Sequence, residues 1–453
     1  MQQMNKVATA LAKASETKAL RIGAGVLNQA GELFLEQFPG QRAVVVTDPR
    51  TYDIAGRDVE RSLREAGVGL EPCYIFTDPA LYAEFRFVEM LDMNLRSHGA
   101  IPVAVGSGTI NDLTKLSSFR NGRRYMCVAT AASMDGYTAF GASITFEGAK
   151  QTFNCPAPQA VLADTTIIAT APPQMSASGY ADLFAKIPAG ADWILSEELG
   201  VEPIDPVSFF IVQDGLKEAL ADPEGVRSGK VETIEPLIEG LILGGFAMQA
   251  HKTSRPASGA DHQFSHLWNM EHHRMSNGLA PSHGFQVSIG ALASTALYEQ
   301  FFAEDIASLD VEACVAAWPR LEEAEARALK MFEGTDFPTI GAKEIGAKYV
   351  THEELRRQLT ALKENWPRIR ARLEAQIVPF AEAQRRLEAA GAPTRPEQID
   401  ISPERMKASF LRAQHIRRRF TILDIAVRTC NLDKWVGAIF GPGGVWETPA
   451  EKN

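Results

Sequence analysis

An α/β N-terminal domain with a parallel sheet, followed by an all-α C-terminal domain, is the fold class this sequence predicts. Three observations carry that reading. Short apolar, β-branched runs alternate with helix-length polar stretches through the first third of the chain. The alternation breaks at APPQMSASG (Ala171 to Gly179), where a Pro pair meets small residues. Beyond the break, apolar residues follow helical spacing. The expected division is 1–173 for the α/β domain and 174–453 for the helical one.

The strands come first. AVVVT (Ala43 to Thr47), CYIF (Cys73 to Phe76), IPVAV (Ile101 to Val105) and MCVAT (Met126 to Thr130) have the composition of strands buried on both faces. ASITFEGAKQTF reads as a hairpin turning at Glu147-Gly148, and AVLADTTIIAT as a further apolar run. After the break, VETIEPLIEGLILGGFAMQAHK sets Ile234, Leu237, Ile238, Leu241 and Ile242 on one helical face. EELRRQLTALKENWPRIRARLEAQI and PFAEAQRRLEAAG are helical and heavily charged. The arginine clusters Arg356-Arg357 and Arg417-Arg418-Arg419 read as solvated helix faces rather than as an anion site. No repeat or low-complexity segment interrupts the chain.

Composition narrows the function classes. The 453 residues are 45% hydrophobic and 23% charged, which suits a globular protein with a sizeable core. A net charge of −10, with dispersed basic residues, argues against general nucleic-acid binding. No apolar run reaches the roughly 18 residues of a membrane span, and the first residues lack a signal-peptide pattern. Five scattered cysteines, never in CxxC spacing, argue against a disulfide framework or a thiolate zinc site. The expectation is a cytoplasmic enzyme with an acidic surface.

Histidine placement is the sharpest signal. Six of the nine histidines fall between His251 and His283, where uniform scattering would place less than one. DHQFSH sets His262 and His266 at i, i+4, hence on one face of a helix, and PSHG puts His283 in a turn or at a helix start. Two imidazoles converging from adjacent helices, completed by a carboxylate, suit Zn²⁺, Fe²⁺ or Ni²⁺; polar helix surface accounts for an isolated HxxxH equally well. The adjacent His272 and His273 read as surface residues. VAVGSGTINDLTK joins a strand end to a helix through Gly106-Ser107-Gly108, where backbone N–H groups can approach a phosphate or simply make a tight turn. In ATAASMDGYTAFGAS, Asp135 is either a ligand contact at a strand end or an Asx-turn before Gly136.

Taken in order, GSGTINDLTK, TAASMDG, SASGYADLFAKIPAGADW, SRPASGADHQFSHLWNME and SHGFQVSIG resemble the dehydroquinate synthase-like/iron-containing alcohol dehydrogenase superfamily. Within it the likeness is greatest to the bacterial branch of the sn-glycerol-1-phosphate dehydrogenases, across about residues 20 to 300 and again in RRRFTILDIA. The resemblance implies a dehydroquinate synthase-like fold, with a Rossmann-like domain binding a nicotinamide dinucleotide and a helical domain binding metal and substrate. It implies Asp182, His262 and His283 as ligands of one divalent metal, Zn, Ni or Fe, and His266 as a substrate-facing residue. Asp135 matches a substrate-contacting aspartate. Gly106, Ser107, Gly108, Thr109 and Ile110 match the pyrophosphate loop, Thr130 and Ser133 the nicotinamide side, and Asp48 the acidic residue on the adenosine ribose. Asp182, His266 and Asp135 would then be the catalytic set.

The implied reaction is reversible reduction of dihydroxyacetone phosphate to sn-glycerol 1-phosphate by NADH, with NADPH tolerated because Arg50 lies near Asp48. The substrate is a small phosphorylated three-carbon compound, and the implied assembly is a homodimer without nucleic acid or membrane insertion. Lys252 and Arg255, just before SGADH, are candidates for the substrate phosphate. The chain departs from the family pattern in three places. The Gly-Gly-Gly loop reads Gly106-Ser107-Gly108, Ser-Glu-His reads Ala260-Asp261-His262, and a cofactor serine is Ala139. The excess length falls mostly between about Glu304 and Glu404. Competing readings are a polyol dehydrogenase, a dehydroquinate synthase-type cyclase or a non-catalytic binding protein on the same fold. Such cyclases usually carry a glutamate where Asp182 stands.

Overall fold

The apolar runs of the first third assemble into a six-stranded parallel sheet in the order β1-β8-β5-β4-β2-β3. The strands are β1 (Ala19–Gly23), β2 (Ala43–Thr47), β3 (Tyr74–Ile75), β4 (Ile101–Gly106), β5 (Met126–Ala129) and β8 (Ala160–Asp164), and β6 (Ala142–Phe146) with β7 (Ala149–Phe153) forms a separate antiparallel hairpin. The computed structural model describes residues 2–147 and 149–448, so Gly148 of the expected hairpin turn lies outside the described residues. Every residue of β2, β5 and β8 is buried, which is why these segments are continuously apolar instead of alternating. Val45, Val103, Val128 and Leu162 meet Leu33, Phe34, Val59 and Leu63 in one core cluster. The edge strand β1, ALRIG, is mostly half-buried and carries Arg21, so it lacks the apolar run that marks the others. Beyond Asp164, every regular element among the described residues is helical.

The chain divides into two compact units. The first comprises Met1–Leu183, Phe210–Ser254 and Ala389–Gly391, and the second Phe184–Phe209, Arg255–Glu388 and Ala392–Asn453. The first unit thus includes the long helix Val231–His251, well beyond residue 173. Gln249 near the end of that helix explains the assignment. Its amide nitrogen donates to the Thr138 carbonyl (2.6 Å) and to Thr17 Oγ1 (3.0 Å), while its Oε1 accepts from the Glu16 and Thr17 backbone. Thr138 Oγ1 donates in turn to the Ile242 carbonyl at 2.8 Å. Gly179, in the helix Pro173–Phe184, lies against the Ala132 carbonyl, where a Cβ would clash with the backbone. No helix among the described residues is long and apolar enough to cross a membrane.

Lys115, the last residue of the GSGTINDLTK motif, is fully buried in the helix Gly108–Arg120. Its Nζ donates to the carbonyls of Gly136, Ala139 and Gly141 at 2.9, 2.9 and 3.0 Å, with Asp112 at 3.7 Å. One ammonium therefore fixes the irregular segment between β5 and β6, whose carbonyls have no sheet partner. Lys115→Met should destabilise the protein by about 3 kcal/mol in urea unfolding, because it leaves buried acceptors without a donor. Arg356→Ala, which removes an exposed, solvent-screened pair with Glu312, should leave the urea midpoint nearly unchanged.

Candidate active site

The histidine cluster is built on two helices held by carboxylates. Ala260–Met270 starts at Gly259, and its first turn is pinned by two aspartates. Asp192 Oδ2 accepts from the Ala260 N–H (2.8 Å), and Asp261 Oδ1 accepts from the Gly259 N–H (3.1 Å). Asp261 Oδ2 accepts from His262 Nδ1, so the ring's proton sits on Nδ1 and Nε2 presents its lone pair. His283 is the first residue of His283–Ala303, where Ser282 caps the helix through the Phe285 N–H. The two helices meet at Gly290, which lies against the Asp261 carbonyl so closely that any Cβ would strike it. That close crossing brings the His262 and His283 rings to 5.2 Å between centroids.

Asp182 is fully buried near the end of Pro173–Phe184, and its Oδ2 accepts from the Asp135 backbone N–H at 2.9 Å. Asp182 in the first unit offers a carboxylate oxygen, and His262 and His283 in the second each offer an imidazole nitrogen. One carboxylate oxygen and two imidazole nitrogens suit a borderline divalent ion, and three protein donors leave a coordination position open. His266 does not belong to that group. It lies one turn along the helix, 6.3 Å from His262 between ring centroids, and its Nε2 accepts from Arg417 Nη2 at 3.0 Å. Burial, followed by the charge of Arg417, holds its pKa well below the usual histidine range, so the ring is neutral at neutral pH.

The remaining sequence candidates lie in the first unit. Gly106 ends β4, Ser107 is the extended residue before the helix, and Gly108, Thr109 and Ile110 form its first turn, whose amides have no acceptors within the helix. Thr130 follows β5, with its N–H donating to the Gly106 carbonyl at 3.1 Å; Ser133 is half-buried and Asp135 buried in the segment fixed by Lys115. Asp48 follows β2 and caps a short helix, accepting from the Arg50 and Thr51 N–H groups and from Thr51 Oγ1. A carboxylate has about four acceptor sites, so one is left for a ligand hydroxyl.

Comparison with known proteins fits this arrangement. The family described as iron-containing alcohol dehydrogenase matches residues 21–172. A glycerol-1-phosphate dehydrogenase (NAD(P)+) of Halalkalibacterium halodurans is 33% identical over 286 residues, covering 63% of this chain and 71% of that protein. The chain belongs to the glycerol-1-phosphate dehydrogenase family. Its Bacillus subtilis namesake in that family is 32% identical over 315 residues, covering 67% of this chain and 79% of the relative. The fold is that of a glycerol dehydrogenase of known structure from Schizosaccharomyces pombe, with a TM-score of 0.59 at 15% identity over 93% of this chain and 90% of that one.

Several polar residues of this glycerol-1-phosphate dehydrogenase family member differ from their sequence expectations. Arg255 is buried and committed to the fold: it donates to the Phe420 and Asp192 carbonyls at 3.0 Å each and pairs with Glu202 at 3.2 Å. Lys252 is exposed at the end of its helix. His273 is buried, against the expected surface placement, because the helix stops at Met270 and the chain turns at His272 (φ 52°). Its two ring nitrogens meet the Ile399 carbonyl and Arg405. Arg356 and Arg357 pair with Glu312 and Glu354 on the surface as expected. Arg417 and Arg419 do not: both are half-buried, in the segment after the helix Pro403–His415.

Asp192 carried no role in the sequence, although it lies in the GADW motif. Fully buried, its Oδ1 accepts from Tyr298 Oη (2.7 Å) and the Ile422 N–H (2.8 Å), in addition to the Ala260 bond at Oδ2. Burial pushes its carboxyl up to about 7 against the pull of these donors. An unfolded chain releases the same proton near pH 3.9. The stabilisation this group gives is therefore complete below about pH 3.9 and lost as pH rises through 7. Asp192→Asn removes that dependence, so the variant's urea midpoint should gain on the wild type between pH 4.5 and 7.5. A constant offset across the range would contradict it.

Proposed function

We propose that the chain is a metal-dependent NAD(P)H oxidoreductase that interconverts dihydroxyacetone phosphate and sn-glycerol 1-phosphate by hydride transfer. The observation that carries this reading is the Asp182/His262/His283 donor set in a chain 33% identical to a glycerol-1-phosphate dehydrogenase. The trio is assigned to one divalent ion, whose chemistry when bound is Lewis-acid polarisation of a ketone oxygen. The dinucleotide is assigned to the first unit, where the amides of Gly106 to Ile110 receive its pyrophosphate, Asp48 its adenosine ribose, and Thr130 and Ser133 its nicotinamide end.

The chain's own groups divide the remaining work. Asp261 orients His262, and the Asp135 N–H orients the Asp182 carboxylate, so two of the three ligands are fixed before any ion arrives. His266 accepts from Arg417 through Nε2, so its proton is on Nδ1, ready to donate to a substrate oxygen. Asp135 and His266 orient the substrate hydroxyls, His266 by a hydrogen bond donated from Nδ1, and a water relays the proton to or from the developing alkoxide.

His262→Ala should remove both the metal and the activity, read by elemental analysis and turnover, while His272→Ala keeps both. His266→Ala should keep most of the metal and slow turnover by about 10²–10⁴. Equal loss of metal in the His262 and His266 variants would make His266 a ligand and overturn the assignment. The substrate reading is tested by net oxidation of NADH with dihydroxyacetone phosphate, since a cyclase would recycle the cofactor. Asp48 is expected to favour NADH over NADPH in parallel kinetics; a clear NADPH preference would show that it does not face the ribose.

A further inference from the structure

Arg417 is a cation without a carboxylate partner. Among the described residues its only hydrogen bond is the one from Nη2 to His266 Nε2, and no acid lies within ion-pair distance. The acid whose charge it feels, Glu344, is bound instead by Arg418 through Nε, Nη2 and the backbone N–H. A half-buried guanidinium with no counter-charge is costly, and such groups are found where a ligand supplies the anion. Arg419 lies two residues on, with Nη1 donating to the Ser258 carbonyl at 2.6 Å, and its charge acts on His266 together with that of Arg417. Both guanidiniums are pushed down by burial, Arg419 to about 9, and both remain cationic at neutral pH.

The position matches a particular ligand. Arg417 touches His266, which is one helical turn from His262 and is the residue assigned above to the substrate hydroxyls. In a three-carbon ketose phosphate the phosphorus is three bonds, about 4 Å, from the carbonyl carbon. The 6.3 Å between the His262 and His266 rings is the same order of separation. We infer that Arg417, supported by Arg419, binds the phosphate of the substrate, with its Nε and Nη1 donors directed to a phosphate monoester. This rests on the oxidoreductase reading above and names the residue that makes that site select a phosphorylated substrate. Arg–phosphate pairing is frequently bidentate, which gives orientation as well as affinity.

The test compares wild type, Arg417→Ala, Arg417→Lys and Arg418→Ala with dihydroxyacetone phosphate, with unphosphorylated dihydroxyacetone and with inorganic phosphate as competitor. Arg417→Ala should raise KM for the phosphorylated substrate about 10- to 100-fold. It should leave the metal content unchanged, sharply reduce the preference for dihydroxyacetone phosphate over dihydroxyacetone, and abolish competition by phosphate. Arg417→Lys should recover part of the loss, and Arg418→Ala, whose side chain is exposed and paired with Glu344, should behave as wild type. An Arg417→Ala enzyme that still prefers the phosphorylated ketone as strongly as wild type overturns the inference and leaves the oxidoreductase reading standing. Should wild type fail to reduce dihydroxyacetone phosphate, the substrate reading falls instead. Phosphate binding by calorimetry then decides Arg417: binding lost in Arg417→Ala sustains the anion site, and binding absent from wild type or retained in the variant overturns it.

Discussion

The geometry of the second unit depends on one buried carboxylate. Asp192 receives donors from the start of the His262 helix, from Tyr298 within the His283 helix and from the start of Ile422–Arg428, while its own carbonyl receives Arg255. Three stretches far apart in sequence, at residues 255–260, 298 and 422, thus share one residue as a common acceptor. A buried charge of this kind is a poor source of net stability, because desolvation offsets most of its attraction. It is a strong source of registration, since each donor has to arrive at one place. The imidazole pair inherits that registration: Ala260 is fixed by Asp192, Gly290 sets the crossing at Asp261, and Asp261 turns the His262 ring.

The first unit solves a related problem with the opposite charge. The segment between β5 and β6 carries Ser133 and Asp135 and has no sheet to satisfy its carbonyls. Lys115 reaches three of them from inside a helix, and Gln249 and the Gly179 contact hold its remaining sides. An irregular segment held by buried donors keeps polar side chains in place without the flexibility usual for a loop.

Much of this was legible in the sequence wherever periodicity reports burial. Strands buried on both faces and the helix Val231–His251 announce themselves, and so does the HxxxH pair, because a helical period places both rings on one side. The edge strand β1 escaped, since a half-buried ALRIG has neither a continuous run nor alternation. Lys115 and Asp192 stand within the motifs GSGTINDLTK and GADW, yet nothing local to either motif gives them a role. Their partners lie up to 26 and 230 residues away, and no local pattern records a partner so distant. Arg417 failed for another reason. Three consecutive arginines look alike in sequence, yet Arg418 reaches solvent and Glu344 while Arg417 turns to His266, a choice made by the backbone direction after the helix Pro403–His415. His273 escaped by the same route, through a helix that ends three residues before it.

The discontinuity of the first unit has a consequence for biosynthesis. Its sheet is complete in sequence at Asp164, yet the anchor formed by Gln249 with Thr17 and Thr138 belongs to a helix that ends at His251. At ribosomal rates of about 5–20 residues per second, that helix is complete roughly 4–17 s after the last strand. During that interval the segment carrying Asp135 lacks the bonds from Gln249 and Ile242, so the nascent sheet is exposed on the side this helix later covers. The interval in which this segment lacks its anchor is therefore set by topology, and it closes only after residue 251 clears the exit tunnel.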